Sequence, residues 1–260
     1  MEPKIVKVCG MRNAENIQQV AALGVDWIGM VFCKASPRNV TMIPTYAGII
    51  PDRASDVVGH ASERDETAAP ATLGGVAHYA PKRVGVFVDE MPQNIITRVV
   101  NFQLDIVQLH GHETPTLIRN LRRTLDPDIR PGIKFVKAIS VSSREDIATW
   151  KDYADCVDFF LFDTKLSPVV GHGIPATLGG VAHYGGSGRQ FDWSLLDAYN
   201  GDVPFLLSGG IGPDDTQAVK DFHHLKCVGI DLNSRFETEP GVKDVERLRT
   251  FLQQIRDPKN

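Results

Sequence analysis

Eight short apolar runs rich in β-branched residues alternate with helical patterns along this chain, and no other feature restricts its fold as strongly. The runs are Ile5–Cys9, Trp27–Phe32, Arg83–Val88, Asp105–Leu109, Ile133–Ala138, Val157–Asp163, Pro204–Ser208 and Val228–Leu232. Most are apolar at nearly every position, as strands buried on both faces should be. Helical patterns follow them at Ala14–Leu23, roughly Ile43–Ile50, Pro92–Asn101, Thr114–Thr124, Ser143–Tyr153, Trp193–Tyr199, Pro213–Phe222 and Val242–Ile255. Asn13 ahead of Ala14-Glu15 and Pro213 at the head of the seventh helix are start signals. Eight strands, each followed by a helix, is the period of a single (β/α)8 TIM barrel, an α/β fold that takes about 250 residues. The chain has 260. A doubly wound open sheet is the alternative, but it usually has fewer strands and a glycine-rich turn after the first.

No linker divides the chain, so residues 1–260 read as one barrel domain with insertions near 51–81 and 167–186. Both insertions hold Gly, Pro, Ala and His without helical period, and both carry the same decapeptide. Pro70-Ala-Thr-Leu-Gly-Gly-Val-Ala-His-Tyr79 recurs as Pro175–Tyr184, and Val-Val-Gly-His precedes each copy. Two copies do not make a solenoid, which needs stacked neighbours at a fixed period. The first copy is expected at the barrel's stability face and the second at its mouth, where it is either a tolerated insertion or a lid bearing His172 and His183.

With 42% hydrophobic and 23% charged residues, wholesale disorder is excluded. A net charge of −4 gives no basic footprint for nucleic acid or an anionic membrane. The longest apolar run, Val25–Phe32, is interrupted by Asp26 and is too short to span a bilayer. Met-Glu-Pro-Lys at the start lacks the layout of a signal peptide, so a cytoplasmic location is expected. Cys9, Cys33, Cys156 and Cys227 are scattered without zinc or C-x-x-C spacing, a pattern that suits reduced thiols. Monomer and homodimer both remain open.

Chemistry in such a barrel belongs at the carboxyl ends of the strands. Cys9 ends the first strand; it is either a small buried hydrophobe or a thiolate favoured by Lys7, two residues earlier on the same face. Arg38 follows the second strand, as a surface charge or as a bidentate carboxylate clamp. Gln108 and His110 close the fourth. The His110-Gly111-His112 pair lacks a nearby carboxylate cluster, and no metal site is expected. Asp163 follows Phe159-Phe160-Leu161-Phe162; it is a general acid with a raised pKa, or a cap or salt-bridge partner of Lys165. Glycine-bearing turns at Gly185–Gly188 (with Gly186 and Gly188), Ser208-Gly209-Gly210 and Asp231–Ser234 (with Asn233 and Ser234) offer backbone N–H groups to an anion, unless the glycines merely turn the chain. Asp231 is a reacting group or an organiser of the last loop.

Together these residues resemble the phosphoribosylanthranilate isomerase family. The resemblance runs from Val6-Lys-Val-Cys-Gly-Met-Arg12 through Gly29-Met-Val-Phe32, Ser36-Pro-Arg38, Val84-Gly-Val-Phe-Val88 and Asp105-Ile-Val-Gln-Leu-His-Gly111. It continues through Phe162-Asp-Thr164, Gly185-Gly-Ser-Gly188, Phe191-Asp-Trp193, Leu207-Ser-Gly-Gly-Ile-Gly212 and Gly229-Ile-Asp231. Only the two repeat-bearing segments fall outside it. The family commonly has Ser-Ser-Gly after the last strand, where this chain reads Asn233-Ser234-Arg235.

The resemblance implies an Amadori rearrangement of N-(5-phosphoribosyl)anthranilate, a small phosphorylated substrate. It also implies Asp163 as general acid, Cys9 as general base and Arg38 on the anthranilate carboxylate. An iminium intermediate would hold the electrons itself, so no pyridoxal, metal or nicotinamide cofactor is expected. Two rivals are a sister barrel such as indole-glycerol-phosphate synthase, which would need catalytic lysines and a longer N-terminal segment, and a non-catalytic sugar-phosphate binder. The second has no use for both Cys9 and Asp163.

Overall fold

The computed structural model describes residues 3–45, 48–51, 71–73, 76–78, 80–164 and 190–257. Its eight long-range strands are β1 (Ile5–Val8), β2 (Trp27–Val31), β3 (Lys82–Phe87), β4 (Ile106–Leu109), β5 (Lys134–Val141), β6 (Phe159–Thr164), β7 (Phe205–Leu207) and β8 (Cys227–Leu232). They close in the order β1-β8-β7-β6-β5-β4-β3-β2, every neighbour parallel. The chain is a (β/α)8 barrel.

Strand side chains alternate between two buried layers. One set, including Trp27, Val31, Val84, Val86, Ile106, Val136, Ala138, Leu161 and Leu206, packs with Cys9 inside the barrel. The other, including Val6, Val8, Ile28, Met30, Phe135, Phe160, Phe162 and Phe205, packs outward under the helices. Counting on by two from the inward residues reaches Gln108 on β4 and His110 just past its end, Asp163 on β6, and Ser208 just past the end of β7. The parity that buries a strand thus delivers polar groups to the mouth.

The helices cover the outer layer with stripes spaced by three and four residues. Helix α1 (Ala14–Ala21) buries Ile17 and Val20 and is capped by Asn13, whose side chain accepts from Asn16 N at 2.9 Å. Helices α2 (Pro92–Phe102) and α3 (Pro115–Leu125) both begin on proline, where the missing N–H is harmless, and bury Ile95, Val99 and Phe102, and Ile118, Leu121 and Leu125. Helix α4 (Arg144–Ala148) has a capping box between Ser143 and Asp146 and passes into a 3-10 turn at Thr149–Asp152. A 3-10 turn at Pro213–Asp215 leads into α5 (Thr216–Asp221), and α6 (Val245–Arg256) buries Leu248, Phe251, Leu252 and Ile255.

Three expectations about helices need correction. The stretch 43–50 is an antiparallel strand pair, Met42–Thr45 with Gly48–Pro51. Pro44 lies inside it, where a helix would lose a hydrogen bond and meet a ring clash costing ~3 kcal/mol. Trp193–Ala198 is 3-10 rather than α-helical. The last helix starts at Val245, not Val242, because Asp244 caps it by accepting from Arg247 N at 3.0 Å. Val242–Lys243 instead pairs antiparallel with Glu237–Glu239 across the Pro240-Gly241 turn. Within the first repeat copy, Ala71–Leu73 pairs antiparallel with Val76–His78. The second copy, with Lys165, His172, His183, Gly186 and Gly188, lies outside the described residues.

Candidate active site

Inward-facing polar groups from β1, β4, β6, β7 and β8 meet at the carboxyl end of the barrel. Cys9 follows β1, its N–H donating to Leu232 O at 2.8 Å, and its side chain is buried. Gly29 on β2 makes room for it, since a Cβ there would stand 2.7 Å from the Cys9 sulfur. Two residues below, fully buried Lys7 donates to Asp231 Oδ2 at 2.9 Å and also reaches the Cys9 thiol. Burial works against the Lys7 charge, but Asp231 and then Cys9 outweigh it and hold the ammonium above its usual range. Burial also pushes the Cys9 thiol up, with Lys7 opposing. Lys7 thus acts in favour of the thiolate, against a larger effect of burial.

Asp163, at the top of β6, is buried, and burial raises its carboxyl above the usual range. Its Oδ1 accepts from Thr164 N at 2.8 Å and Ser208 Oγ at 3.4 Å, while Oδ2 faces His110 Nε2 at 3.5 Å. His110 is lowered to about 4 by burial, then by Lys137 and Lys7, so it is a neutral imidazole at pH 7. As pH falls below 6.5 the unfolded chain takes up a proton that folded His110 refuses until about 4, so the group withdraws stability across that window, ~3 kcal/mol in full. Melting curves of the parent and His110→Asn from pH 7 to 4 should show a shallower acid decline in the variant; equal slopes would contradict the assignment.

Two buried acceptors at the mouth, Gln108 Oε1 and Asp231 Oδ1, have no hydrogen-bond partner among the described residues. Such atoms are uncommon in folded interiors and are satisfied where a ligand supplies donors. Burial raises Asp231, partly offset by Lys7. Gly209 and Gly210 follow Ser208 with φ of +91° and +69°. Ser234 opens a short 3-10 turn, Ser234–Phe236. The Asn233 side chain is turned to Lys243, whose Nζ donates to its Oδ1 at 2.9 Å.

Arg38 lies at the mouth but is not a loose surface charge. It forks onto Glu237, with Nε at 2.8 and 3.1 Å from the two carboxylate oxygens and Nη2 at 2.6 Å from Oε2. Glu237 and Lys243 were not anticipated from the sequence. Nor were Glu113 and Lys137, buried partners at 2.9 Å that pin the loop after His110: Glu113 accepts from Gly111 N at 2.9 Å and Asp89 N at 2.9 Å, and Lys137 donates to Gly111 O at 2.5 Å. A polar residue breaking the apolar run of β5 was the available signal for Lys137. Among the described residues no three His, Cys, Asp or Glu are grouped as metal ligands. Nor is any described helix long and apolar enough to cross a membrane.

A buried thiol and a buried carboxyl on non-adjacent strands of a (β/α)8 barrel, ringed by unpaired acceptors and glycine turns, define an enzyme-type mouth suited to moving protons on a small polar ligand. A family model described as N-(5'-phosphoribosyl)anthranilate (PRA) isomerase matches residues 45–254. The chain is 39% identical over 254 residues to the N-(5'-phosphoribosyl)anthranilate isomerase of Parabacteroides distasonis, covering 98% of this chain and 94% of that one. It superposes on the phosphoribosyl anthranilate isomerase of Thermotoga maritima with a TM-score of 0.67 at 28% identity, covering 96% and 98% of the two chains. A further isomerase structure, in complex with reduced 1-(o-carboxyphenylamino)-1-deoxyribulose 5-phosphate, matches with a TM-score of 0.63 at 25% identity over 96% and 97%. The chain belongs to the N-(5'-phosphoribosyl)anthranilate isomerase family.

Proposed function

We infer that this chain catalyses the Amadori rearrangement of N-(5'-phosphoribosyl)anthranilate to 1-(2-carboxyphenylamino)-1-deoxyribulose 5-phosphate in tryptophan biosynthesis. Family membership supports the reaction, and the observation that carries it is the buried Asp163 carboxyl and Cys9 thiol at one barrel mouth. Asp163, its proton favoured by burial, protonates the furanose ring oxygen. The C1–O bond breaks and the anilino nitrogen lone pair forms an iminium at C1. That cation acidifies the C2 proton, which passes to Cys9 in its thiolate form, the thiol having first lost its own proton to solvent with Lys7 as counter-ion. The C2–H electrons form the C1–C2 double bond of an enolamine, and the nitrogen recovers its pair. Protonation at C1 and loss of the C2 hydroxyl proton then give the ketone.

Lys7 supplies the counter-ion for a thiolate that burial disfavours, and the iminium adds a second positive charge as it forms. The unpartnered Gln108 Oε1 and Asp231 Oδ1 support a role for both residues in accepting from ribose hydroxyls. Ser208, Gly209, Gly210, Asn233 and Ser234 line the turns suited to the phosphate, and the family pattern adds Gly186 and Gly188 from outside the described residues. Arg38 takes the anthranilate carboxylate. Purified protein mixed with freshly prepared phosphoribosylanthranilate should abolish its fluorescence at a rate proportional to protein concentration. A rate equal to the spontaneous background would overturn the reading.

A further inference from the structure

We propose that Glu237 is a positioning residue for the substrate carboxylate: it grips one edge of the Arg38 guanidinium so that the other edge faces the mouth. This rests on the reading of Arg38 as the carboxylate clamp. A guanidinium has two edges that form paired hydrogen bonds, one from Nε and Nη2 and one from Nη1 and Nη2. Glu237 takes the first, and among the described residues Nη1 and the outer proton of Nη2 are left for a second carboxylate.

Glu237 is itself held. Its Oε1 accepts from Lys243 Nζ at 2.6 Å and from Gly241 N at 3.1 Å. Lys243 is fully buried and donates also to Asn233 Oδ1. Its backbone is locked to helix α1, with Lys243 N donating to Asn16 Oδ1 at 2.7 Å and Asn16 Nδ2 donating to Lys243 O at 2.9 Å. The hairpin that displaced the expected start of the last helix is what brings Glu237 and Lys243 together. Burial alone would raise the Glu237 carboxyl, but the Arg38 hydrogen bonds and the Lys243 charge outweigh it and keep it ionised. Burial lowers the Lys243 ammonium, with Glu237 opposing, and the second edge of the Arg38 guanidinium is complementary to a single carboxylate.

The cluster also sits beside the reacting thiol. Gly10, next to Cys9 and at φ +74°, carries no Cβ; one built there would stand 2.6 Å from both Arg38 Cδ and Asn233 Oδ1. Arg38 thus crosses directly over the backbone that presents Cys9, and its angle sets where the aromatic ring of the substrate lies relative to the sugar.

The test is a double-mutant cycle on kcat and KM for N-(5'-phosphoribosyl)anthranilate, with Arg38→Ala, Glu237→Gln and the pair, each checked for folding by thermal melting. Glu237→Gln should raise KM about tenfold and leave kcat within about twofold, because the amide reverses one contact and frees the fork to rotate. Arg38→Ala should raise KM by ten- to a hundredfold, and adding Glu237→Gln to it should change nothing further. Glu237→Asp, too short to span Arg38 and Lys243, serves the same comparison if Glu237→Gln does not fold. Unchanged KM in the Glu237 variants alongside a raised KM in Arg38→Ala overturns the role of Glu237 alone. A lowered KM would show that Glu237 competes with substrate, and additive effects would show action elsewhere; either overturns it. Unchanged KM in Arg38→Ala overturns the clamp on which it rests.

Discussion

Replacing Cys9 with serine should lower kcat by more than about a hundredfold, and Asp163→Asn should do comparable damage. The two changes act on opposite halves of the reaction. A serine hydroxyl in the Cys9 position is a far poorer base at neutral pH, while asparagine keeps the shape of Asp163 but has no acidic proton for the ring oxygen. Neither side chain is asked to hold the ground state, so KM should move little. Serine is smaller than cysteine and fits the space Gly29 leaves beside the sulfur, so a fall in kcat would not be due to crowding. Steady-state kinetics on folded variants decide the matter. Near-normal kcat in Cys9→Ser would make Cys9 a packing residue and leave the base to be found among the neighbouring groups.

The second large effect concerns Lys7. Its 2.9 Å bond to Asp231 lies inside the barrel, with both groups nearly inaccessible to water. Removing one member of a buried pair strands the other, typically costing about 3–5 kcal/mol, so Lys7→Met should lower the melting temperature by ~10 °C. The Asp231 carboxyl would then be left in a site that already disfavours its charge. Activity should fall as well, since Cys9 loses the cation that opposes its burial; alkylation of Cys9 should shift to higher pH. Chemical denaturation and a pH profile of thiol modification give the two readouts separately. Stability within about 0.5 kcal/mol of the parent would show that the pair is not a structural link.

How much of this could be read from the chain follows from sequence separation and parity. Cys9, Gln108, His110, Asp163 and Ser208 were legible because each falls on the inward parity of a strand whose apolar members are plain. The last strand likewise placed Asp231 at the mouth. What Asp231 does there was not legible, because its partner Lys7 lies 224 positions away. Glu237 was hidden for the same reason: Arg38 is 199 positions distant, and nothing local marks Glu237-Thr-Glu239 as more than a solvated loop. The helix over 43–50 failed because β-branched residues at helical spacing also suit a hairpin, and Pro44 tips that balance. The start of the last helix failed differently. Val242 and Lys243 fit its period, whereas the Pro240-Gly241 turn and the Asp244 cap were the better local signals.

The most direct measurement is the fate of the C2 hydrogen when the isomerisation runs in deuterium oxide and the product is returned to light water for mass spectrometry. Transfer of a proton from C2 to Cys9, followed by protonation at C1 from exchangeable groups, places solvent deuterium on C1 of the ketose and should slow by more than about a hundredfold in Cys9→Ser. A product that keeps the original C2 hydrogen on C1, formed as fast by Cys9→Ser as by the parent, would contradict proton transfer through Cys9.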